Sequence, residues 1–264
     1  MNWWGKLLGG AFGYMLGGPL GALIGAALGH RFDKGVSGIG ITMNPAERER
    51  IQTAFFTATF SVLGHLAKAD GQVTQEEIRL AEAVMVQMQL SDEQKAIAKG
   101  LFNEGKEPDF DLDGVLDQFV GVCHRRHTLL RIFLEVLVQA AMADGHLSDA
   151  EEAVLQQVCS HIGFTPEELA HLESMVAASA RWAGGGAGQG PTRAQDLASA
   201  YALLDIPETA SDAEIKRAYR RLMSQHHPDK LVAKGLPEEM MKIATQKTHE
   251  IRQAYERIKQ VRGF

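Results

Sequence analysis

Five short patterns show where helices begin in this 264-residue chain. In each, a Ser or Thr is followed three residues later by Glu or Gln, so that each side chain can bond the backbone N–H of the other in the first turn of a helix. The pairs are Thr74–Glu77, Ser91–Gln94, Ser148–Glu151, Thr165–Glu168 and Ser211–Glu214. Together with the apolar stripes that follow them, they predict an all-α protein.

Four of these helix starts belong to an internal duplication. Residues 70–94 align with residues 144–168 at a constant offset of 74, which superimposes Asp-Gly on Asp-Gly and each capping pair on its counterpart. In both copies an apolar helix runs through Ala-Asp-Gly into a turn and then into a capped helix. Paired units of this kind pack into one helical bundle, which we predict over residues 45–180.

A calcium loop is the alternative interpretation of the two Asp-Gly turns. Aligned on an EF-hand, Asp70 and Glu77 take the fifth and twelfth places, but Leu66 and Lys68 stand where the first and third carboxylates belong. Glycine and the capping residue account for the turn without an ion. We therefore expect structural turns with no metal or cofactor, and a cation site stays open as the alternative.

The N-terminal stretch Leu7–Gly29 contains no charged residue. As a helix it would be about 34 Å long, enough to cross a hydrocarbon core of about 30 Å. Trp3 and Trp4 precede it, where indole rings favour the membrane interface. We predict a transmembrane helix over residues 7–29, between a short N-terminal segment (1–6) and a juxtamembrane segment (30–44). A cleaved signal peptide is the alternative, although its apolar region is usually shorter.

Glycines recur at every fourth position of this stretch. Such spacing clears one ridge of a helix, so that two backbones can approach closely in lipid. The predicted dimerisation residues are Gly9, Gly13, Gly17, Gly21, Gly25 and Gly29. We expect a homodimer through this helix, the alternative being a span that crosses the bilayer without self-association.

Positive residues favour one orientation of the span. Arg31, Lys34, Arg48 and Arg50 follow it, whereas only Lys6 and the free amine precede it. Because positive loops stay on the cytoplasmic side, the N-terminus is predicted to be periplasmic and the C-terminal domains cytoplasmic.

The helix that begins after Ser211 has two opposite faces. Ile215, Ala218, Tyr219 and Leu222 form an apolar stripe at helical spacing. The opposite face is a cationic ridge of Lys216, Arg217, Arg220 and Arg221. Pro228 cannot continue the helix and drives His227 toward extended geometry, so the tripeptide His227-Pro228-Asp229 is predicted to form an exposed loop.

A basic helix followed by His-Pro-Asp resembles helix II and the signature loop of a J-domain, the module with which co-chaperones engage DnaK-type chaperones of the 70-kilodalton heat-shock family. The flanking helices agree with this resemblance. Leu197, Ala200, Tyr201 and Leu204 form a helical stripe before it, and a long helix from Pro237 to about Lys259 follows. The resemblance implies a J-domain helical hairpin over residues 196–264, with the tripeptide and the cationic ridge as partner-binding residues.

The Ala-Asp-Gly pattern of the bundle resembles the tellurite-resistance TerB-like domain. A membrane span, this domain and a C-terminal J-domain together resemble the DjlA-type membrane-anchored co-chaperones of the bacterial inner membrane. Residues 181–195, rich in glycine, are predicted to be a flexible linker that lets the J-domain move independently. The resemblance implies stimulation of a DnaK-type partner's ATPase by a protein that is not an enzyme.

Charge and composition bear on the alternatives. Residues 199–264 carry 12 Lys and Arg against 9 Asp and Glu, a net of +3, while the whole chain has a net charge of −6. The acidic balance and the lack of aromatic residues on the ridge argue against nucleic-acid binding. The remaining alternative is a stress- or metal-responsive membrane scaffold in which the bundle is the main functional module.

Overall fold

A computed structural model describes residues 45–69, 71, 82, 84–86, 90–123, 126–142, 147–184, 193–237 and 240–264. Every regular element in these ranges is a helix, which confirms the predicted all-α class. The predicted transmembrane helix, its glycines, the capping pair at Thr74 and most of the linker lie outside the described residues. None of the described helices combines the length and the apolar character that crossing a membrane requires.

Six helices of the bundle have defined bounds within the described residues. They are α1 (Pro45–Ala67), α2 (Asp92–Gly105), α3 (Leu112–Cys123), α4 (His127–Ala141), α5 (Asp149–Ile162) and α6 (Pro166–Gly184). Phe55, Phe119 and Phe133, from α1, α3 and α4, meet at its centre and are at most 1% exposed. Their ring centroids are 4.6–6.2 Å apart, and Phe55 meets the other two edge to face. Such aromatic contacts stabilise a core beyond the area that they bury.

The predicted helix starts at Ser91, Ser148 and Ser211 are confirmed. In each, the serine hydroxyl accepts from the backbone N–H three residues on, and the Glu or Gln side chain accepts from the serine N–H. Thr165 and Glu168 make the same pair of bonds at the start of α6. These reciprocal bonds satisfy N–H groups that the first turn of a helix leaves without partners.

Glycine allows α1 and α2 to cross at unusually close range. A Cβ on Gly64 would overlap the carbonyl oxygen of Phe102, and a Cβ on Gly105 would overlap that of Ser61. Both obstacles are backbone atoms, so a local side-chain rotation cannot relieve the overlap. The crossing therefore depends on the absence of side chains at these two positions.

We expect Gly64→Ala to destabilise the bundle by about 1–3 kcal/mol or more, because the added methyl group forces two backbones apart. Gly100→Ala is the matched control, since Gly100 lies within α2 with no neighbouring atom within 4 Å of an added Cβ. There alanine should stabilise the helix by roughly 0.5–1 kcal/mol. Urea titrations followed by circular dichroism measure both changes, and equal effects would contradict the close crossing.

The C-terminal domain contains α7 (Arg193–Leu203), α8 (Asp212–Gln225), α9 (Pro228–Ala233) and α10 (Met241–Arg262). Its own core joins α7, α8 and α10 through the buried side chains of Tyr201, Leu204, Ile215, Leu222, Ile251, Ala254 and Ile258. The predicted apolar stripes therefore face this core. On its edge, Tyr219 and Tyr255 stack with ring centroids 4.2 Å apart.

The boundaries of the predicted linker differ from the structure. Helix α6 continues to Gly184 and α7 begins at Arg193, so the predicted range 181–195 is helical at both ends. Residues from Arg50 onward form one compact unit, in which the C-terminal domain packs against the bundle. The structure thus shows a docked arrangement of the two domains, and independent movement of the J-domain stays a prediction.

Candidate partner-binding site

The cationic ridge lies on the outer face of α8. Lys216, Arg217, Arg220 and Arg221 are all exposed, while Ile215, Ala218 and Leu222 on the opposite face are buried. The helical period places the two sets on opposite sides, and the Ser211 cap determines where the period begins. Sequence and structure therefore agree on the ridge.

Three basic residues of the ridge have different neighbours. The Lys216 ammonium lies 4.8 Å from the centroid of the Phe264 ring, and Arg220 Nε donates to the Lys216 carbonyl oxygen at 3.2 Å. Arg221 is paired with the Asp205 carboxylate. The ion pair therefore ties Arg221 to the turn that follows α7, while its side chain stays exposed.

Asp205 was not recognised from the sequence. It has a left-handed backbone conformation, with φ of 60°, in the turn that follows α7. Its second carboxylate oxygen lies 2.7 Å from Nε2 of His171, which belongs to helix α6 of the bundle. Asp205 thus links the ridge to the bundle, a contact between residues that are distant in sequence.

The tripeptide lies at the surface, at a corner between two helices. Helix α8 ends at Gln225, His227 has extended geometry with φ of −63° and ψ of 120°, and Pro228 is the first residue of α9. His227 and Asp229 are exposed, while Pro228 is half-buried. The predicted loop is therefore wrong after His227, because the fixed φ of proline and its missing N–H suit the first position of a helix.

Two contacts fix the direction of α9, and with it the tripeptide. Leu231 is 1% exposed and anchors the short helix, while Lys230 Nζ donates to Ser224 Oγ of α8 at 2.7 Å. After α9 the chain turns at Gly235, whose φ of 102° favours glycine. The His227 side chain makes no capping hydrogen bond of its own. Its side chain is therefore presented to solvent.

A buried polar group lies directly beside the tripeptide. His226 is only 4% exposed, and its Nδ1 lies 4.0 Å from the carboxylate of Glu135 on α4. The same carboxylate forms an ion pair with Lys247 of α10, whose Nζ is 3.1 Å away. Nε2 of His226 has no hydrogen-bond partner among the described residues. Sequence reasoning missed this group, since no local pattern relates α4 to the C-terminal domain.

The charges of this group follow from its surroundings. Burial alone raises the pKa of Glu135, but Lys247, His226 and Arg131 outweigh it and lower the pKa to about 2. Burial lowers the pKa of His226, an effect that Glu135 opposes and that Lys247 and Arg131 reinforce. At neutral pH the group is therefore a carboxylate paired with an ammonium beside a neutral imidazole.

Both cysteines are buried thiols. Cys123 and Cys159 are free and buried, and burial raises the pKa of each thiol to about 12. Across the part of the chain that the structure describes, no three His, Cys, Asp or Glu side chains are grouped so as to hold a metal ion. Gly71 has φ of 88°, as a glycine turn requires, while Asp70 and residues 143–146 lie outside the described residues.

Comparison with known proteins identifies the three parts of the chain. Residues 56–174 match the family described as tellurite resistance protein TerB, residues 1–40 match the co-chaperone DjlA transmembrane domain, and residues 199–261 match the DnaJ domain. The protein named co-chaperone protein DjlA in Photobacterium profundum is 45% identical over 276 residues, which cover 99% of both chains. This chain belongs to the DjlA co-chaperone family.

Other DjlA proteins are similar over the same extent. The DjlA protein of Vibrio cholerae is 45% identical over 288 residues, and that of Coxiella burnetii is 46% identical over 271 residues, with full coverage of both chains in each case. No solved structure matches the chain. The resemblances to TerB-like, J-domain and DjlA-type proteins are thus confirmed, and the surface around the tripeptide belongs to a J-domain.

Proposed function

We propose that this protein is a membrane-anchored regulator that binds a DnaK-type chaperone through its J-domain and stimulates the chaperone's ATP hydrolysis, without being an enzyme itself. The observation that carries the proposal is the exposure of His227 and Asp229 at the end of a helix with a cationic outer face. An exposed polar corner of this kind has no role in packing, which favours a role in recognition.

Charge supports the proposed orientation of the partner. Lys216, Arg217 and Arg220 lie along one exposed face of α8, the helix that ends at the corner with the tripeptide. An acidic surface on the chaperone would be attracted to this face before contact, which raises the association rate and orients the encounter. The tripeptide would then reach the partner beside the ridge.

The membrane part of the proposal concerns residues 1–44. We propose that residues 7–29 cross the bacterial inner membrane once, with the N-terminus in the periplasm, and that the glycines from Gly9 to Gly29 pair two copies. The match of residues 1–40 to the DjlA transmembrane domain supports the anchor. An anchored J-domain raises the effective concentration of the chaperone's regulator at the membrane surface.

Charge reversal of the ridge tests the recognition step. In full-length protein in nanodiscs, Arg217→Glu with Arg220→Glu should weaken binding to an immobilised, ATP-bound, hydrolysis-deficient DnaK-type chaperone by about 10- to 100-fold, since two attractive charges become repulsive. Biosensor kinetics should show the larger part of the loss in the association rate. The difference from wild type should shrink as salt is raised.

The matched control reverses two exposed charges elsewhere on the J-domain. Arg252→Glu with Lys259→Glu makes the same change in net charge at two exposed positions of α10, a different helix from the ridge. We expect binding within about twofold of wild type for this variant, because exposed charges outside a contact contribute little. Equal losses in both double variants would refute a specific role for the ridge and leave only a net-charge effect.

A further inference from the structure

The bundle and the J-domain share a contact face that carries charged and polar pairs. On α4, Glu135 pairs with Lys247 and faces His226 of the J-domain. On α6, Ser179 Oγ donates to Glu250 Oε2 of α10 at 2.6 Å. These pairs cross directly between the two domains, so the docked arrangement has specific partners and is more than a general apolar contact.

The segment that carries the tripeptide is held by the bundle on both sides. On its N-terminal side, His226 is buried beside Glu135. On its C-terminal side, Lys234 Nζ donates to Thr128 Oγ1 at 2.9 Å, and the backbone at Gly235 is so close to Ile51 that a Cβ would lie 2.8 Å from Ile51 Cγ2. His227 and Asp229 therefore project from a segment whose two flanks are occupied.

The C-terminal end of the ridge, at Arg221, is held as well. Asp205 pairs with Arg221 on the J-domain and with His171 on α6 of the bundle. A chaperone that recruits Arg221 would have to take it from this pair. The bundle thus contacts both parts of the proposed partner-binding surface, through the residue next to His227 and through the carboxylate that binds Arg221.

We propose that the bundle is an internal competitor of the DnaK-type chaperone: its α4–α6 face holds the J-domain in a docked state that the chaperone must displace before it can close around the tripeptide. This inference rests on the proposed function and adds its regulation. Because binding free energies are linked, a chaperone that favours the undocked state releases the J-domain, and whatever strengthens docking weakens chaperone binding by the same factor.

The contact face has the character of a separable interface. A cavity of about 300 Å³ lies between the domains, with its walls formed by Ile132, Val136 and Val176 of the bundle and by Leu236, Met240 and Ala244 of the J-domain. Atoms that line this cavity lack dispersion contacts on one side, which weakens the interface. The Glu135–Lys247 pair adds little net stability, because its attraction is offset by the cost of removing both charges from water. Such interfaces between domains of one chain open readily.

A charge reversal on the bundle tests the competition without touching the J-domain. In full-length protein in nanodiscs, Glu135→Lys places a cation against Lys247 and should undock the J-domain. The half-maximal concentration for stimulating ATP hydrolysis by the chaperone should fall about fivefold, the size of a typical coupling between sites. The charge-swapped variant, Glu135→Lys with Lys247→Glu, restores the pair and should return within about twofold of wild type.

Docking itself is measured as fluorescence energy transfer between two dyes. One dye is attached at Ala153→Cys of α5 and the other at Gln260→Cys of α10, both exposed positions. The buried native cysteines, with thiol pKa values of about 12, should not compete for label. Transfer should fall in Glu135→Lys, recover in the charge-swapped variant, and fall in wild type as ATP-bound chaperone is added.

Two outcomes separate this inference from the function on which it rests. In the first, the wild type stimulates ATP hydrolysis, but energy transfer between the dyes stays constant at saturating chaperone and Glu135→Lys has the same half-maximal concentration as wild type. That result refutes the competition and leaves the co-chaperone function standing. If neither wild type nor Glu135→Lys stimulates the chaperone, the proposed function fails and the competition fails with it.

Discussion

Full-length protein with His227→Gln is expected to leave ATP hydrolysis by a DnaK-type chaperone at its unstimulated rate. The glutamine keeps a polar side chain of similar length but loses the imidazole ring at the exposed corner. Since His227 is exposed and makes no capping hydrogen bond, the variant should fold as the wild type does. Steady-state ATPase assays measure the first expectation, and thermal unfolding measures the second.

The control for this variant is His249→Gln. His249 is also exposed, but it lies on α10, outside the tripeptide and the ridge, and its ring is 2.9 Å from the Gln253 amide nitrogen. Its replacement should leave stimulation as in wild type. Full stimulation by the His227 variant, or an equal loss in both variants, would show that the corner does not act as proposed.

Phe133→Ala is expected to lower the free energy of unfolding of the bundle by about 3–5 kcal/mol. Phe133 is fully buried, and its ring contacts both Phe55 and Phe119, so its removal leaves a cavity that three helices border. Urea titration of the purified protein, followed by circular dichroism, measures the change from the shift in midpoint at constant slope.

Ile97→Ala is the matched control for this core variant. Ile97 lies on α2 of the same bundle but is 39% exposed, so it loses much less buried area on truncation. We expect a loss below about 1 kcal/mol. If Phe133→Ala lowered the free energy of unfolding by no more than Ile97→Ala does, the aromatic cluster would not form the centre of the bundle.

The features that could be predicted from the sequence depend on local chemistry. Capping at Ser91, Ser148 and Ser211 involves atoms three residues apart, and the two faces of α8 follow from the helical period. The exposed corner follows from proline. These interactions are decided within a few residues, so no knowledge of the tertiary structure was needed to find the ridge and the tripeptide.

The features that could not be predicted depend on contacts between residues that are far apart in the sequence. Nothing near Gly64 or Gly105 indicates that each faces the backbone of another helix. Likewise, a single Glu135 in an apolar helix does not reveal that Lys247 will neutralise it. The error at Pro228 has a local cause, since proline suits the first position of a helix, and a tertiary one, since the burial of Leu231 anchors the short helix that follows.

The docked arrangement extends this contrast to the linker. Glycine-rich composition predicts a flexible connection, and flexibility allows both separation and docking. Which of these prevails depends on the complementarity of two folded surfaces, such as the meeting of Glu135 with Lys247 and of Ser179 with Glu250. That complementarity arises only after both domains have folded.

The central claim is that the chain presents a J-domain corner that accelerates ATP hydrolysis by a DnaK-type chaperone. Its most direct test is the single-turnover rate of ATP hydrolysis by a purified chaperone preloaded with ATP, measured with and without the full-length protein in nanodiscs. We predict that the rate rises with the concentration of the protein and saturates. A rate that stays constant at every concentration, with wild type and Glu135→Lys alike, would contradict the claim.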